Sequence, residues 1–366
     1  MKRFRVRGMR EDRGRFAALH GERVFVYWPH GLGDWAHVAA ILPLLEPSNA
    51  YAIARFGDDY ACLLDGDAYV RVLHSGSRAL GDGSALGARH LGLQQRRLNG
   101  AMRELVVPEP LAEQLAAFDP TVVLWTDYPE TEGRTAFPFH TKARNAARLL
   151  VARERLTAFD LTKPLPTTVD AGVDRALQRA VDERLNAFAP PGTRRYVLSI
   201  AGFSAERKNW DAAQARRFVH LLQRDDARAR AVVMGDAALG DKRRWPGREI
   251  VAGYHELFGD LDAPFARAYL ALLARADGVV AVPAGPFHVA MICRGIPIVG
   301  LWAAHLPEWY DEPNPDAMHL VGSYVGDRHF DRRPATTTLP PAWHRKTMLD
   351  SRVIPAEAVV AALKLS

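Results

Sequence analysis

The sequence has 366 residues, of which 48% are hydrophobic and 25% are charged, and its formal net charge is +6. This length is typical of two domains, and the composition excludes an intrinsically disordered chain. Two cysteines exclude a disulfide framework and a cysteine zinc site, and no apolar run is long enough to span a bilayer. The first residues also lack the apolar core of a signal peptide. We therefore expect a soluble, cytoplasmic protein.

Much of the positive charge lies close to the N-terminus. The pattern is typical of a solvated, partly disordered tail. The alternative is attraction to an anionic acceptor or to an anionic membrane surface, the latter of which would place the protein peripherally at the inner membrane. Nucleic-acid binding is not expected, because no basic motif interleaved with aromatic residues accompanies the charge. The residues concerned are Lys2, Arg3, Arg5, Arg7, Arg10, Arg13 and Arg15.

Short apolar runs alternate with helical patterns through the first half of the chain. This alternation predicts βαβ units around a parallel sheet. A segment rich in Pro and Thr at 161–170 predicts a linker, which gives a first Rossmann-like domain at 1–165. The predicted strands are 24–28, 51–56, 69–73 and 121–125, and the predicted helices are 35–45 and 142–153.

The same alternation starts again after the linker. It predicts a second Rossmann-like domain at 171–345 and a C-terminal helical segment at 346–366 that packs back on the first domain. Two such domains facing across a cleft form an α/β architecture that favours ligand binding between them. The predicted strands are 196–200, 231–234, 278–282 and 297–302, and the predicted helices are 173–188, 211–222, 264–276, 286–294 and 355–365.

A glycine-rich turn follows the first strand of the first domain. Gly31, Gly33 and Ala36 match the G-x-G-x-x-[G/A] fingerprint of dinucleotide-binding proteins. However, Asp34 puts a negative charge where a pyrophosphate would sit. The acidic residue expected after the second strand is replaced by Arg55, which suits a 2′-phosphate. An NADP-dependent oxidoreductase therefore remains an alternative.

Asp34 also suits a different role. The amides and dipole at a helix N-terminus favour an ionised carboxylate. Such a carboxylate can accept a proton from a substrate hydroxyl. Gly31 and Gly33 have no side chains, so a substrate can approach the backbone of the loop closely. The structural alternative is that Asp34 caps the helix predicted from Trp35.

A second turn follows the strand at 278–282. Pro286 stands in the first turn of a predicted helix whose N-terminus carries no carboxylate, so this end suits an anion such as a diphosphate. The alternative is an ordinary β–α turn. His288 by itself would more often be a packed histidine than a ligand.

Two adjacent cations follow the strand at 196–200. Arg207 and Lys208 precede the next predicted helix and can neutralise a departing phosphate group. The alternative is a pair of solvated loop cations. One domain thus offers a base and the other offers cations, a division that suits transfer of a group from a nucleotide diphosphate donor to a hydroxyl.

The three motifs together resemble the bacterial ADP-heptose:lipopolysaccharide heptosyltransferases, the glycosyltransferase family 9 type. Their order and spacing carry the resemblance over 24–302. The motifs are Gly31-Leu-Gly33-Asp34 with Pro43 and Leu45, then Lys208-Asn-Trp210, then Gly285-Pro286-Phe-His288 with Gly295-Ile-Pro297.

The resemblance implies a GT-B fold, with an acceptor-binding first domain and a nucleotide-sugar-binding second domain. It implies one inverting displacement without metal or cofactor, with Asp34 as general base and Lys208 on the donor phosphates. The implied donor is ADP-heptose, and the acceptor is a glycan, lipid-linked or protein hydroxyl. The remaining donor-side residues are Ser204, Arg207, Ala284, Gly285, Pro286 and His288, and the acceptor loop contains Gly31, Gly33 and His37.

Two positions depart from the family pattern. Pro283 stands where the family usually has an aspartate, and Asp211 stands where it usually has a proline. Pro283 motivates a third hypothesis, a non-catalytic relative that binds nucleotides or glycans. Asp65-Gly-Asp67 matches the D-x-D motif of metal-dependent transferases, but we interpret it as a chance match in a loop, and no metal site is predicted.

Overall fold

The structure is a computed structural model of the full chain. The chain divides into two compact units, the first formed by Met1–Asp160 with Pro264–Arg267 and the second by Leu161–Ala263 with Ala268–Ser366. The structure describes residues 2–5, 19–27, 32–41, 45–54, 63, 70–73, 104–107, 109–125, 173–202, 209–235, 244–247, 249–302, 314–322, 330–334 and 354–364.

A parallel sheet of four strands forms the centre of the first unit. Its strand order is β4-β3-β2-β6, so that the chain moves outward from β2 in one direction and then adds β6 on the other side. This is the order 3-2-1-4 of a Rossmann-like half. All four strands were predicted from their apolar runs. Their bounds are β2 Arg23–Tyr27, β3 Ala50–Ala54, β4 Val70–Val72 and β6 Val122–Trp125.

Two helices of the first unit lie in the described part of the chain. Helix α1 spans Leu32–Ile41 and α2 spans Glu109–Phe118. Helix α2 was not predicted, although it buries Leu111, Ala112 and Leu115 at a helical spacing. The predicted helix at 142–153 and the predicted linker at 161–170 lie outside the described residues.

The basic N-terminus contains a strand, where the sequence favoured a solvated tail. Strand β1, Lys2–Arg5, pairs antiparallel with β5, Glu104–Val107. The partner is about 100 residues away along the chain, and local charge gives no signal of such a pairing.

A seven-stranded sheet forms the centre of the second unit. Its order is β13-β12-β11-β10-β7-β8-β9, and every neighbouring pair is parallel except β12 with β13. The six parallel strands follow the Rossmann order 3-2-1-4-5-6, with the switch point between β7 and β10. The bounds are β7 Arg195–Ser199, β8 Arg230–Val233, β9 Val251–Gly253, β10 Gly278–Ala281, β11 Ile298–Trp302, β12 Ala317–Gly322 and β13 Phe330–Pro334.

Helices cover both faces of this sheet. The two longest begin after an aspartate cap, since Asp174 and Asp211 each accept two backbone N–H groups from the first turn that follows. The bounds are α3 Arg175–Phe188, α4 Ala212–Asp225, α5 Tyr254–Phe258, α6 Phe265–Leu273, α7 Gly285–Met291 and α8 Ala356–Leu363.

The C-terminal helix α8 packs within the second unit, whereas packing on the first domain was predicted from the sequence. Ala356 and Val359 are buried in the same cluster as Phe218 of α4 and Leu198 of β7. The Ala356 N–H donates to Gln214 Oε1 at 3.0 Å. Apolar spacing predicted the helix correctly, but the surface that receives an apolar helical face cannot be inferred from that spacing.

Gly300 lies in the middle of β11 beneath helix α7. An added methyl group would lie 2.8 Å from His319 Nδ1, 2.8 Å from Trp302 Nε1 and 2.9 Å from Phe287 Cε2, all closer than side chains tolerate. We expect Gly300→Ala to lower the free energy of unfolding by about 1–3 kcal/mol through overpacking. Urea unfolding checks this, and an unchanged midpoint would show that the three rings are loosely packed.

None of the described helices combines the length and the apolar character that crossing a bilayer requires.

Candidate functional site

The first candidate segment follows β2 in the first unit. Helix α1 begins at Leu32, three residues earlier than predicted. Asp34 is therefore the third residue of the helix and not the residue that precedes it. The prediction failed here because Gly33 is a poor helix former, yet Leu32 and Gly33 are buried and tertiary packing overrides that propensity.

This helical start keeps Asp34 in the first turn, at the carboxyl end of a parallel strand. Trp35 and Ala36 beside it are fully buried, which fixes the backbone of the turn. Only the backbone of Asp34 and His37 is described, and Gly31 lies outside the described residues. A first-turn carboxylate is stabilised in its charged form by the helix dipole and the free amides.

The second candidate segment lies at the switch point of the second unit, where β7 and β10 end side by side. The Val282 N–H donates to the Ser199 carbonyl at 2.8 Å, and the Ala284 N–H donates to the Val282 carbonyl at 2.7 Å. A Cβ added at Gly202 would lie 3.3 Å from the Ala284 Cβ. The loops after β7 and β10 are thus in contact at the edge where Rossmann-like folds bind ligands.

The turn after β10, which leads into α7, contains some of the residues predicted to bind the nucleotide-sugar donor. Ala284 precedes the helix and provides no side-chain cap, and Ala284, Gly285 and Pro286 are each half-buried. His288 is buried, with 4% of its surface exposed, and its ring lies 5.3 Å edge-on from that of Phe287. The backbone of this turn is therefore accessible, while the imidazole lies inside the fold.

The residues predicted to bind the donor after β7 lie in the sequence between two well-anchored positions. Ser204, Arg207 and Lys208 themselves lie outside the described residues. Before them, the Gly202 N–H donates to Asn209 Oδ1 at 2.8 Å, and after them the Trp210 N–H donates to the Ile200 carbonyl at 2.9 Å. These two bonds close the loop at its base and hold both of its ends beside β7.

The end of this loop is also tied to the C-terminal segment. The Trp210 indole, which is 3% exposed, donates to the Ile354 carbonyl at 3.0 Å.

Asp211 stands where the motif quoted from the sequence usually has a proline, and its contacts give a local explanation for this difference. Asp211 accepts the N–H groups of Ala213 and Gln214 and so caps α4, a role that proline cannot perform with its side chain.

Three buried polar residues near α7 were not identified from the sequence. Tyr269 of α6 donates its hydroxyl to the Pro286 carbonyl at 3.1 Å. Asn314 donates to the carbonyls of Met291, the last residue of the helix, and Cys293, two residues further on, at 2.9 and 2.8 Å. The Ser199 hydroxyl is buried and has no hydrogen-bond partner among the described residues. The sequence gives no local signal for these contacts.

The described residues contain no group of three or more His, Cys, Asp or Glu side chains able to hold a metal ion. Asp65 and Asp67, the D-x-D match, lie outside that part of the chain.

Comparison with solved structures identifies the fold. A glycosyl transferase family 9 protein from Veillonella parvula superposes with a TM-score of 0.55 at 16% identity, covering 95% of this chain and 99% of that protein. The ADP-heptose lipopolysaccharide heptosyltransferase II of E. coli gives a TM-score of 0.56 at 13% identity, covering 94% of this chain and 98% of its own. No protein-family model and no curated protein sequence matches this chain.

These similarities confirm the predicted fold class. The chain has the α/β GT-B fold of these transferases, with a Rossmann-like sheet in each unit. At 13–16% identity the similarity establishes the fold, and the activity has to be argued from the site.

Proposed function

We propose that this protein is an inverting, metal-independent glycosyltransferase of the family 9 type. It transfers a heptose from ADP-heptose to an acceptor hydroxyl on a glycan, a lipid-linked sugar or a protein. The observation that carries the proposal is the contact between the loops after β7 and β10, where Gly202 and Ala284 meet at the ligand-binding edge of a Rossmann-like sheet, and the extent of the structural similarity supports it. Two transferases match over 94–95% of this chain and 98–99% of their own length, so the similarity includes both units.

The second unit is proposed to bind the nucleotide diphosphate. Its support is the complete Rossmann strand order and the contact between Gly202 and Ala284 at the switch point. Backbone groups at Ala284 and Gly285 face the diphosphate, while Pro286 has no N–H to offer. Ser204, Arg207 and Lys208 supply the hydroxyl and the positive charge that neutralises the leaving group.

The first unit is proposed to supply the base. Asp34 accepts the proton of the acceptor hydroxyl while the acceptor oxygen attacks the anomeric carbon of the donor sugar. The bond from that carbon to the diphosphate oxygen breaks, and the nucleoside diphosphate departs with the electron pair. One displacement inverts the configuration of the anomeric carbon.

Metal independence has a direct test. Since Lys208, Arg207 and backbone amides are proposed to take the charge of the diphosphate, EDTA is expected to leave turnover unchanged within about twofold. Loss of most activity in EDTA, with recovery on adding Mg²⁺, would show that a cation performs this role. Turnover is measured as release of nucleoside diphosphate.

A ligand panel separates the proposed transferase from an oxidoreductase. A ligand that binds only the folded state raises the melting temperature, by an amount that grows with its concentration relative to Kd. We expect ADP to raise the melting temperature more than NADP does, with GDP and UDP as the other members of the panel. Stabilisation by NADP, with no effect of any nucleoside diphosphate, would favour the dinucleotide fingerprint of the first unit and reject the proposal.

A further inference from the structure

We propose that Tyr269 is a positioning residue whose hydroxyl fixes the first turn of α7 for binding of the donor diphosphate; this inference rests on the proposed function. Tyr269 lies in the middle of α6 and is fully buried. Its hydroxyl donates to the Pro286 carbonyl at 3.1 Å. The bond therefore joins α6 to the second residue of α7.

The first turn of α7 has few constraints of its own. Ala284 provides no side-chain cap and Gly285 has the widest conformational freedom, while Pro286 fixes its own φ but has no N–H with which to hold the turn. The helix-closing bond from the His288 N–H to the Ala284 carbonyl is long, at 3.3 Å. A short helix that begins in this way depends on contacts from outside to define its first turn.

Buried polar side chains hold both ends of α7. At the C-terminal end, the fully buried Asn314 donates to the carbonyls of Met291 and Cys293. At the N-terminal end, Tyr269 holds the Pro286 carbonyl. Between the two, the Phe287 ring packs 5.2 Å edge-on against Trp302. Removing the tyrosine hydroxyl would release the one end that is proposed to face the ligand.

The hydroxyl of Tyr269 remains a donor at any working pH. Burial raises the pKa of Tyr269 well above its ordinary value, and the nearby Cys293 and Tyr254 raise it further. A buried hydroxyl that stays protonated keeps its hydrogen bond, since leaving it unmade would cost the full desolvation of the group. The hydrogen bond is therefore available over the whole working pH range, and the role we assign to it is to preorganise the turn.

The test compares Tyr269→Phe with a matched control, Tyr196→Phe. Tyr196 is also buried in the second unit, but it packs in the cluster that includes α4 and α8. Each variant removes one hydroxyl and keeps the ring. Loss of one hydrogen bond corresponds to about a two- to tenfold change in an equilibrium constant.

We expect Tyr269→Phe to speed amide hydrogen exchange in peptides covering 282–292 by about two- to tenfold and to weaken ADP binding by a similar factor. Tyr196→Phe should change neither quantity, even if both variants lower the melting temperature equally. A melting-temperature loss without faster exchange in this segment would assign Tyr269 a general packing role and overturn the inference.

The ligand-free exchange measurement keeps this inference separate from the proposed function. If the wild-type protein binds none of ADP, GDP and UDP, the proposed function fails, and the diphosphate role of the turn fails with it. The exchange result then still decides whether Tyr269 holds the turn. Faster exchange with unchanged ADP affinity would overturn the claim that the anchor serves binding.

Discussion

Replacement of Asp34 by asparagine is expected to lower turnover by about two to four orders of magnitude and to leave ADP affinity unchanged. Asparagine has nearly the same size as aspartate but cannot accept the proton of the acceptor hydroxyl. Asp34 occupies the third position of α1, so the substitution falls in the first turn of the helix. Turnover is measured with saturating donor, and ADP affinity by calorimetry.

Asp174→Asn provides the matched control for this prediction. Asp174 also lies at a helix N-terminus, where its Oδ1 accepts the N–H groups of Ala176 and Leu177 at 2.7 and 2.8 Å. Asparagine caps helices about as well as aspartate does, so this variant should keep both its stability and its turnover. If Asp34→Asn retained turnover like the control, Asp34 would not be the base.

Acidification is expected to destabilise the second unit through His319. This residue of β12 is 4% exposed, and its ring lies 5.2 Å from Trp302 and 6.0 Å from Phe287. Burial lowers the pKa of His319 from its ordinary value of 6.5 to about 3. Its Nδ1 has no hydrogen-bond partner among the described residues, so a proton there would gain little from the surroundings.

The direction of the effect follows from proton binding. Below about pH 6.5 the unfolded chain binds a proton at this histidine, while the folded protein does not until the pH approaches 3. The contribution of neutral His319 to folding stability is therefore fully present above the pKa of this histidine in the unfolded chain. It is lost progressively as the pH is lowered through this window. In this window the free energy of unfolding falls by about 1.4 kcal/mol for each pH unit, which amounts to about 3 kcal/mol between pH 6.5 and pH 4.5.

His319→Leu should remove this contribution. Leucine has a similar volume, and the change deletes no hydrogen bond of Nδ1 within the described part of the chain. The free energy of unfolding from urea titrations at several pH values should decline less steeply in the variant than in the wild type. His220→Leu, at an exposed position of α4, is the control. Equal pH slopes for wild type and His319→Leu would contradict the prediction.

Local sequence signals predicted the central strands well and the pairing of distant segments poorly. Apolar runs at β2, β7 and β10 are strong because parallel strands are buried on both faces. Strand β1 was missed because its partner β5 lies about 100 residues away and its own residues are mostly charged. The start of α1 was misplaced because Gly33 disfavours a helix locally while burial of the turn favours one.

The same limit applies to the candidate site. The turns after β2, β7 and β10 could be found because glycine, proline and charge patterns mark the ends of strands. The anchors of those turns could not, since Tyr269 reaches Pro286 and Trp210 reaches Ile354 through tertiary structure. Position in the fold, and not spacing along the chain, brings these residues together.

Direct observation of transfer tests the central claim most clearly. The full-length protein is incubated with ADP-heptose and a bacterial extract that supplies acceptors, and the products are analysed by mass spectrometry. We predict release of ADP together with an acceptor that has gained one heptosyl unit, and loss of both products in Asp34→Asn. Intact ADP-heptose, with no acceptor that has gained a heptosyl unit, would contradict the proposed function.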